Sequence, residues 1–285
     1  MTVRVDFRVR TALLSDQRQL TNLIHFSTYV HRHLDWRTPL EWIGSAPFLV
    51  AEYQGELAAA LACPPDPPHV AWIRLFVDGG KTPLEETWQV LWEAVRTEMA
   101  GKGSFVVSAI VLHEWLRSLL VESGFTGHQE IVMLERNQKP GETAGPPEGI
   151  SLRLMLPSDL PAVAEVDAAA FEPAWQNSLD ALNRAFPQAL LATVAETAQG
   201  LVGYQISTRN PFGAHLARLA VRPDVQRRGV GQALVEDLIR QLAGHGISRL
   251  TVNTQSDNRT SLSLYARTGF SETGERYPVY EYPIT

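Results

Sequence analysis

Four short segments of this 285-residue chain recur in the same order about 144 residues further along, and this repeat constrains the fold more than any other feature. Self-similarity at a fixed spacing indicates a duplicated structural unit. The equivalent residues, at offsets of 143 to 145, are Arg10 and Arg153, Asp16 and Asp159, Glu52 and Glu196, Arg74 and Arg218, and Gly124-Phe125 and Gly269-Phe270. We therefore expect two similar domains of roughly 140 residues each, a common domain size.

A polar stretch rich in proline and glycine separates the two copies. Residues 139–149 read KPGETAGPPEG, a composition typical of a linker. The predicted organisation is therefore one domain over residues 1–138, a linker over 139–149 and a second domain over 150–285.

Each copy shows the same succession of hydrophobic patterns. A short strand leads into a helix, ending near Tyr29 in the first copy and near Phe171 in the second. Three strands follow, the last of them a continuous apolar strand over Val70–Val77 in the first copy. A long amphipathic helix, a strand, a second helix and a final strand complete the copy. This order predicts a mixed α/β sheet flanked by helices.

Composition narrows the classes of function. The net charge of −6 and the pI near 5.8 argue against a nucleic-acid partner. No apolar run approaches the length of a spanning helix, and the first ten residues lack a signal-peptide core, so we expect a cytoplasmic protein without a membrane partner. The single cysteine, Cys63, cannot supply a disulfide or a cysteine metal cluster, and we expect no metal. Monomer and homodimer both remain open.

The segment Leu216–Ala233, LARLAVRPDVQRRGVGQA, is the most informative for chemistry. An apolar strand ends at Val221, a Pro-Asp turn follows, and a helix begins after Gly229. The first N–H groups of a helix have no internal partner and lie at the positive end of its dipole. Glycine allows an anion to approach that backbone closely. The pattern predicts a phosphate site, with a tight turn bearing solvated arginines as the alternative.

Gln226-x-x-Gly229-x-Gly231 resembles the pyrophosphate-binding motif of the GCN5-related N-acetyltransferases (GNAT). A second stretch, Asn258-x-x-Ser261-x-x-Leu264-Tyr265-x-x-x-Gly269-Phe270, is similar to that family's Asn…Ala…Leu-Tyr…Gly-Phe segment, with Ser261 where alanine is usual. The resemblance covers residues 150–285, and the repeat extends it to residues 1–137. It implies two tandem GNAT-like domains, with acetyl-CoA as co-substrate and acetyl transfer to a primary amine as the reaction.

The resemblance also assigns roles in the second copy. The strand before the loop would pair with the pantetheine arm through its backbone, and the loop and helix start would hold the pyrophosphate. The residues so implied are Leu219, Ala220, Val221, Gln226, Arg227, Arg228, Gly229, Val230, Gly231, Gln232 and Asn258. Asn258 is also a candidate helix N-cap, and both roles can hold together. Asn253 is a weaker candidate for cofactor contact.

Acetyl transfer needs an acid for the departing thiolate and a base for the amine. The resemblance implies that Tyr265 is the acid, and the alternative is a tyrosine packed on the sheet. The base is less clear, because no acidic residue occurs between Asn210 and Val221. His215 is the candidate there, since its ordinary pKa near 6.5 suits a base. The rivals from the first helix and its following loop are Glu165, Asp167 and Glu172.

The acceptor is open. Phe171-x-x-x-Trp175 is similar to the acceptor-site loop of ribosomal-protein-alanine acetyltransferases, which suggests a peptide amine; alternatively, Trp175 covers an apolar edge. Tandem mycothiol synthases pair one competent with one degenerate domain, which suggests a small-molecule acceptor. A non-catalytic acyl-CoA sensor is the third possibility.

The first copy lacks these residues and is expected to be degenerate. The motif positions fall on Thr82, Glu85 and Thr87, where Thr82 and Glu85 suggest a self-satisfied capping box and a negative helix start. Gly79-Gly80-Lys81 keeps anion binding open as an alternative. The histidines His25, His31 and His33 keep a metal site open as an alternative. The copy would either shape the acceptor cleft or simply pack.

Overall fold

A computed structural model describes residues 6–68, 70–103, 105–137 and 145–284, and the chain forms two compact units. The first unit comprises Met1–His128 and Pro278–Thr285, and the second comprises Gln129–Tyr277. Of the predicted linker, residues 139–144 lie outside the described residues, as does position 138 at the end of the predicted first domain. No helix among the described residues is long and apolar enough to cross a membrane.

The first unit contains a five-stranded antiparallel sheet in the order β1-β3-β4-β6-β2, while β5 pairs in parallel with β7. Its elements are β1 (Arg8–Thr11), α1 (Gln17–Phe26), β2 (Tyr29–Arg32), β3 (Phe48–Tyr53), β4 (Glu56–Ala62), β5 (Val70–Trp72), β6 (Leu75–Asp78), α2 (Leu84–Ala100), β7 (Phe105–Ile110) and α3 (Glu114–Glu122). The apolar stripe of α2, from Trp88 to Met99, is buried against this framework.

In the second unit, β9, β10, β11 and β12 form an antiparallel meander, β12 pairs in parallel with β13, and β13 pairs with β8. Its elements are β8 (Thr126–Arg136), β9 (Ser151–Leu154), α4 (Leu160–Ala170), α5 (Leu179–Gln188), β10 (Leu191–Thr197), β11 (Gly200–Asn210), β12 (Gly213–Val221), α6 (Val230–Gly244), β13 (Leu250–Gln255), α7 (Arg259–Arg267) and β14 (Ser271–Ile284). The first three residues of β8 and the part of β14 from Pro278 onwards belong to the first unit. The buried face of α6 begins at Val230, as its periodicity predicts.

An ion triad recurs at three positions of the sequence repeat. Arg10 binds Asp16 through two nitrogens, at 2.7 and 2.9 Å, and donates to Glu52 at 2.7 Å. The second unit has the same contacts from Arg153 to Asp159, at 2.7 and 3.0 Å, and to Glu196, at 3.0 Å. Each triad joins the first strand, the turn before the first helix and the next strand. The repeat therefore preserves specific side-chain geometry.

A strand irregularity also recurs. In the second unit the β11–β12 register shifts between Ile206 and Ser207, which leaves Ala217 opposite no partner on β11. The equivalent position in the first unit, Ile73, lies in the gap that divides the predicted continuous strand into β5 and β6. The prediction of one strand over Val70–Val77 is therefore wrong, because a break interrupts its pairing.

Each unit is completed by a segment from the opposite half of the chain. Ile131–Arg136, which follow the first copy's helices, pair with β13 in the second unit. Val279–Ile284, at the end of the second copy, pair with β7 in the first unit. The compact units therefore differ from the sequence repeats at their last strands, a long-range choice that local patterns do not encode.

Two elements went unpredicted. The first predicted helix ends at Phe26 and not near Tyr29, because Tyr29–Arg32 form β2 against β6. Helix α5 follows the loop after α4. Ser178 is its N-cap, and the hydroxyl of that serine accepts from the amide of Ala181.

Candidate active site

The candidate site begins where β12 separates from β13. The two strands pair only through Ala214–Leu216 and Leu250–Val252. Beyond Leu216, β12 keeps β11 on one side but has no strand partner on the other among the residues that the structure describes. The backbone edge of Leu219 and Ala220 therefore has no strand partner on this side and can pair with an extended ligand, while the carbonyl of Val221 accepts from Nε2 of Gln226 at 3.0 Å.

Helix α6 begins beside the end of that edge with an open N-terminus. Its N-cap is Gly229, whose φ of +85° is a left-handed conformation that favours glycine. Arg227 also has a positive φ, +62°, so the loop is tightly wound. A Cβ on Gly231 would lie 3.3 Å from Leu264, so this turn is packed closely against α7. The first amides of α6 lack intrahelical acceptors and form a site for an anion.

These elements surround a cleft of about 720 Å³. Ten of the residues implied by the family resemblance line it: Leu219, Ala220, Val221, Gln226, Arg227, Gly229, Val230, Gly231, Gln232 and Asn258. Arg228, His215 and Tyr265 are not among its lining residues. Asn258 also caps α7 by accepting from the amide of Ser261 at 3.1 Å, which confirms the predicted N-cap, while its contact with the cofactor stays a prediction.

Tyr265 is almost fully buried next to Leu264, which lines the cleft. Its ring lies 5.5 Å from that of Phe270 within the core of the second unit. Burial raises the pKa of its hydroxyl, while the positive charge of Arg218 acts in the opposite direction. Such a hydroxyl stays protonated at neutral pH, as an acid for a thiolate must.

His215 lies on β12 and uses both ring nitrogens. Nδ1 is 2.9 Å from the Thr251 hydroxyl, and Nε2 is 3.0 Å from Oδ1 of Asn253. Burial lowers its pKa, with the Asn253 contact acting the other way. Its Nε2 lies against the oxygen of Asn253, so it must leave that contact before it can accept a proton from an amine.

The three rival carboxylates have different surroundings. Asp167 is fully buried and is engaged by Arg218, Tyr204 and the amide of Asn177, so it has no room to receive a substrate proton. Glu165 is exposed on α4 and does not line the cleft. Glu172 is exposed and does line it. Of the three, only Glu172 reaches the space that a substrate would occupy.

The loop after α4 forms the wall of the cleft opposite α6. Phe171, Glu172 and Trp175 line it. The indole N–H of Trp175 donates to Oε1 of Gln129 at 3.1 Å, and Gln129 also lines the cleft. Trp175 therefore borders the cavity and does not merely cover an apolar edge.

The sequence did not point to several lining residues: Gln129, Gln255, Asp257, Thr260 and Arg267. Asp257, Thr260 and Arg267 lie within or next to the Asn258–Tyr265 segment, and this proximity is the signal that could have found them. Gln129 belongs to the other copy in sequence, and no local pattern connects it to this cleft.

The equivalent region of the first unit is occupied by its own chain. Strand β6 pairs with β4 on one edge and with β2 on the other, from Tyr29 opposite Asp78 to Arg32 opposite Leu75. The edge that is open on β12 is therefore covered on β6.

The predicted capping box at the start of α2 is wrong. The N-cap is Pro83, and the Thr82 hydroxyl contacts that of Thr87 at 2.7 Å. The negative helix start is present, with Glu85 and Glu86 in the first turn.

The three histidines of the first copy have separate surroundings. His31 Nε2 lies 3.1 Å from the carbonyl of Ile73, His33 stacks on Trp72, and His25 contacts Phe26 edge to face.

Comparisons with known proteins agree with this geometry. Residues 160–270 match the model of the Acetyltransferase (GNAT) family. The [Ribosomal protein bS18]-alanine N-acetyltransferase of Escherichia coli strain K12 is 29% identical over 123 residues, 43% of this chain and 82% of that protein. The mycothiol acetyltransferase of Saccharomonospora viridis is 29% identical over 178 residues, 54% of this chain and 58% of that protein.

Two solved structures resemble nearly the whole chain. One is a tandem GNAT protein from the clavulanic acid biosynthesis pathway, with a TM-score of 0.64 and 15% identity, over 98% of this chain and 99% of that one. The other is a GCN5-related N-acetyltransferase from Sphaerobacter thermophilus, with a TM-score of 0.62 and 19% identity, over 98% and 96%. These likenesses confirm the predicted mixed α/β fold.

Proposed function

We propose that this chain, whose residues 160–270 match the model of the GNAT family of acetyltransferases, uses its second unit to transfer the acetyl group of acetyl-CoA to a primary amine. The observation that carries this proposal is the convergence of the open β12 edge and the α6 N-terminus on one cleft. An extended pantetheine arm suits the first, and a pyrophosphate suits the second.

The residues present fit acetyl-CoA. The free amides at the start of α6 and the left-handed Gly229 provide a backbone cradle for the pyrophosphate, and Arg227 adds positive charge. The backbone of Leu219–Val221 would bond the pantetheine amides, while the Asn258 side chain borders the same cleft. In this arrangement residues of β12 and of the loop Phe171–Trp175, which line the same cleft, would border the thioester.

The reaction needs two proton transfers around one substitution. The amine nitrogen bonds to the thioester carbonyl carbon, and the carbon–sulfur bond breaks. We assign Glu172 as the base that accepts the amine proton, in preference to His215. Glu172 lines the cleft, whereas both ring nitrogens of His215 have hydrogen-bond partners. Tyr265 returns a proton to the departing sulfur; its burial supports a protonated hydroxyl, and this role requires that hydroxyl to reach the sulfur.

We propose a peptide with a free N-terminal alanine as the first acceptor to test. The support is the aromatic loop at the cleft together with the similarity to the bS18-alanine acetyltransferases. A small amino-sugar conjugate is the second candidate, supported by the mycothiol acetyltransferases, which match a longer part of this chain. A non-catalytic acyl-CoA sensor would bind the same ligand without turnover.

Calorimetry with acetyl-CoA on the full chain tests the site. We expect one binding site per chain, abolished by Gly231→Glu, because the added carboxylate enters the anion site and its Cβ meets Leu264 at 3.3 Å. Gly244→Glu is the matched control: it lies at the other end of α6, and a Cβ there meets nothing within 4 Å. Unchanged affinity in Gly231→Glu contradicts the site assignment, and two sites per chain contradict the assignment to one unit.

Mass spectrometry of acetylated products then separates the functions. Transfer to the alanine peptide supports the peptide acceptor, and transfer only to the amino-sugar conjugate supports the second candidate. Binding without turnover on both supports the sensor.

A further inference from the structure

A buried ion pair lies beneath the loop that borders the acceptor side of the cleft. Arg218 on β12 binds Asp167 on α4 with two parallel contacts, Nε to Oδ2 and Nη2 to Oδ1, each 2.7 Å. Asp167 is fully buried, and the Arg218 side chain is 14% exposed. Two-point pairing of this kind fixes orientation as well as distance.

The same two side chains hold both ends of the loop. The guanidinium of Arg218 lies 3.5 Å from the ring centroid of Phe171, where the loop begins. Its Nη2 also donates to the carbonyl of Trp175 at 2.6 Å. Asp167 accepts from the amide of Asn177 at 2.7 Å, where the loop ends. Every one of these contacts leaves the Glu172 side chain free to face the cleft.

The register shift between β11 and β12 at Ala217, a β-bulge, explains how Arg218 comes to face α4. Ala217 is the extra residue on β12, and Arg218 beyond it pairs with Ile206, two residues from Tyr204 on β11. Tyr204 donates to Asp167, so this is the α4 face of the sheet. Removing one residue from a strand turns every later side chain to the opposite face, which would point Arg218 away from the loop.

We infer that Arg218, paired with Asp167, is a positioning residue that sets the acceptor side of the cleft by fixing the loop Phe171–Trp175. The inference rests on the proposed function for its kinetic meaning, while its structural content is independent of it. Arg218 is not among the residues that line the cleft. Its effect reaches the reaction through Glu172 and Trp175.

Arg218→Lys tests this, because lysine keeps the charge but not the two-point contact. Hydrogen–deuterium exchange is the first readout: amides of residues 171–178 should exchange about tenfold faster, while those of α6 stay unchanged. Fluorine NMR of fluorotryptophan-labelled protein is the second: the Trp175 resonance, assigned with Trp175→Phe, should shift or broaden. Neither readout requires a known acceptor.

The kinetic readout separates positioning from general destabilisation. The amine is the alanine peptide or the amino-sugar conjugate, whichever the wild-type chain acetylates. Arg218→Lys should raise KM for this amine and lower kcat, so that kcat/KM falls by about 100-fold. The Kd for acetyl-CoA should change less than twofold. If neither amine is acetylated, the proposed function fails, and the exchange and NMR results still decide this inference.

Arg74→Lys is the matched control. Arg74 is the repeat equivalent of Arg218 and is similarly buried, 3.0 Å from Asp35, in the first unit. Arg74→Lys should lower the melting temperature without changing hydrogen–deuterium exchange of residues 171–178 or the kcat and KM for the amine. If Arg218→Lys behaves like Arg74→Lys, with only a lower melting temperature, Arg218 is structural and the inference is overturned.

Discussion

The two units place equivalent strands, β6 and β12, in different surroundings. Strand β6 begins after a break at Ile73, and β12 has a register shift at the equivalent position, Ala217. On β12 the edge beyond that break lines a cleft, whereas on β6 it is hydrogen-bonded to β2. A covered strand edge cannot accept another extended chain. The comparison teaches that a duplicated fold can lose a ligand site by closing a backbone edge with its own chain.

The helix starts differ in the same sense. Helix α6 begins at a left-handed glycine beside Arg227, whereas α2 begins at Pro83 and carries two glutamates in its first turn. The turn before α2 also satisfies itself, since the amide of Gly80 donates to Asp78 at 2.7 Å. Charge and backbone both favour an anion at α6 and disfavour one at α2. We therefore propose that acetyl-CoA binds the second unit alone.

The largest expected effect is the dependence on pH of the unfolding free energy of the first unit, through a histidine in β2, the strand that covers β6. Burial lowers the pKa of His31, in β2, to about 4. The unfolded chain binds that proton near pH 6.5, so stability is complete above pH 6.5 and is lost as pH falls towards 4, by about 3 kcal/mol. Urea unfolding followed by tryptophan fluorescence at pH 7 and pH 4 measures this, because six of the seven tryptophans precede residue 139.

His31→Gln should reduce that pH dependence, and His25→Gln, which changes an exposed histidine, should not. Burial lowers the pKa of His33 well below its usual value, so a slope of the same sign should remain in His31→Gln. An unchanged slope in His31→Gln would mean that His31 is not the group whose burial stabilises this edge.

A smaller effect is expected from reversing charge at the two helix starts. Arg227→Glu with Arg228→Glu should weaken acetyl-CoA binding by about 30-fold, or 2 kcal/mol, through the anion site at α6. Glu85→Arg with Glu86→Arg in the first unit should create no second site, because β2 still covers β6. Calorimetric site counting decides both, and a second site in the latter variant would show that charge alone separates the units.

The smallest effect is expected where the units agree. Arg10→Gln and Arg153→Gln each remove the centre of an equivalent, partly exposed ion triad, and each should lower the unfolding free energy by about 1 kcal/mol. Thermal unfolding of both variants measures this. A much larger loss in one variant would show that the shared geometry has unequal weight in the two units.

Local sequence predicted what local chemistry determines. The repeat pairs Arg10 with Arg153, and these two arginines occupy corresponding ion pairs in the two units. It also pairs Arg74 with Arg218, which are both ion-paired, but to aspartates that are not repeat equivalents, Asp35 and Asp167. The glycines and periodicity around Val230 predicted the start of α6, since a helix N-terminus depends on residues adjacent in sequence. Ten of the thirteen candidate site residues line one cleft, and all ten are residues that the family resemblance implies.

Long-range pairing decided the rest. The sequence pattern predicts a helix that reaches Tyr29, yet Tyr29–Arg32 form β2 because they pair with the edge of β6. The sequence makes Asp167 a candidate base, but its partner Arg218 lies 51 residues away in sequence. Only the fold shows that the two side chains form an ion pair, which leaves Asp167 no room for a substrate proton. Gln129 reaches the cleft from the other repeat. Such contacts depend on tertiary arrangement, which a single sequence does not display.

The crossed strands have a consequence for how this chain can change in evolution. Ile131–Arg136 pair within the second unit, and Val279–Ile284 pair within the first. A deletion that removed either half of the gene would therefore take a strand from the half that stayed. Selection for a working second unit thus preserves the first, even if the first binds nothing, and the two copies are inherited as one indivisible product.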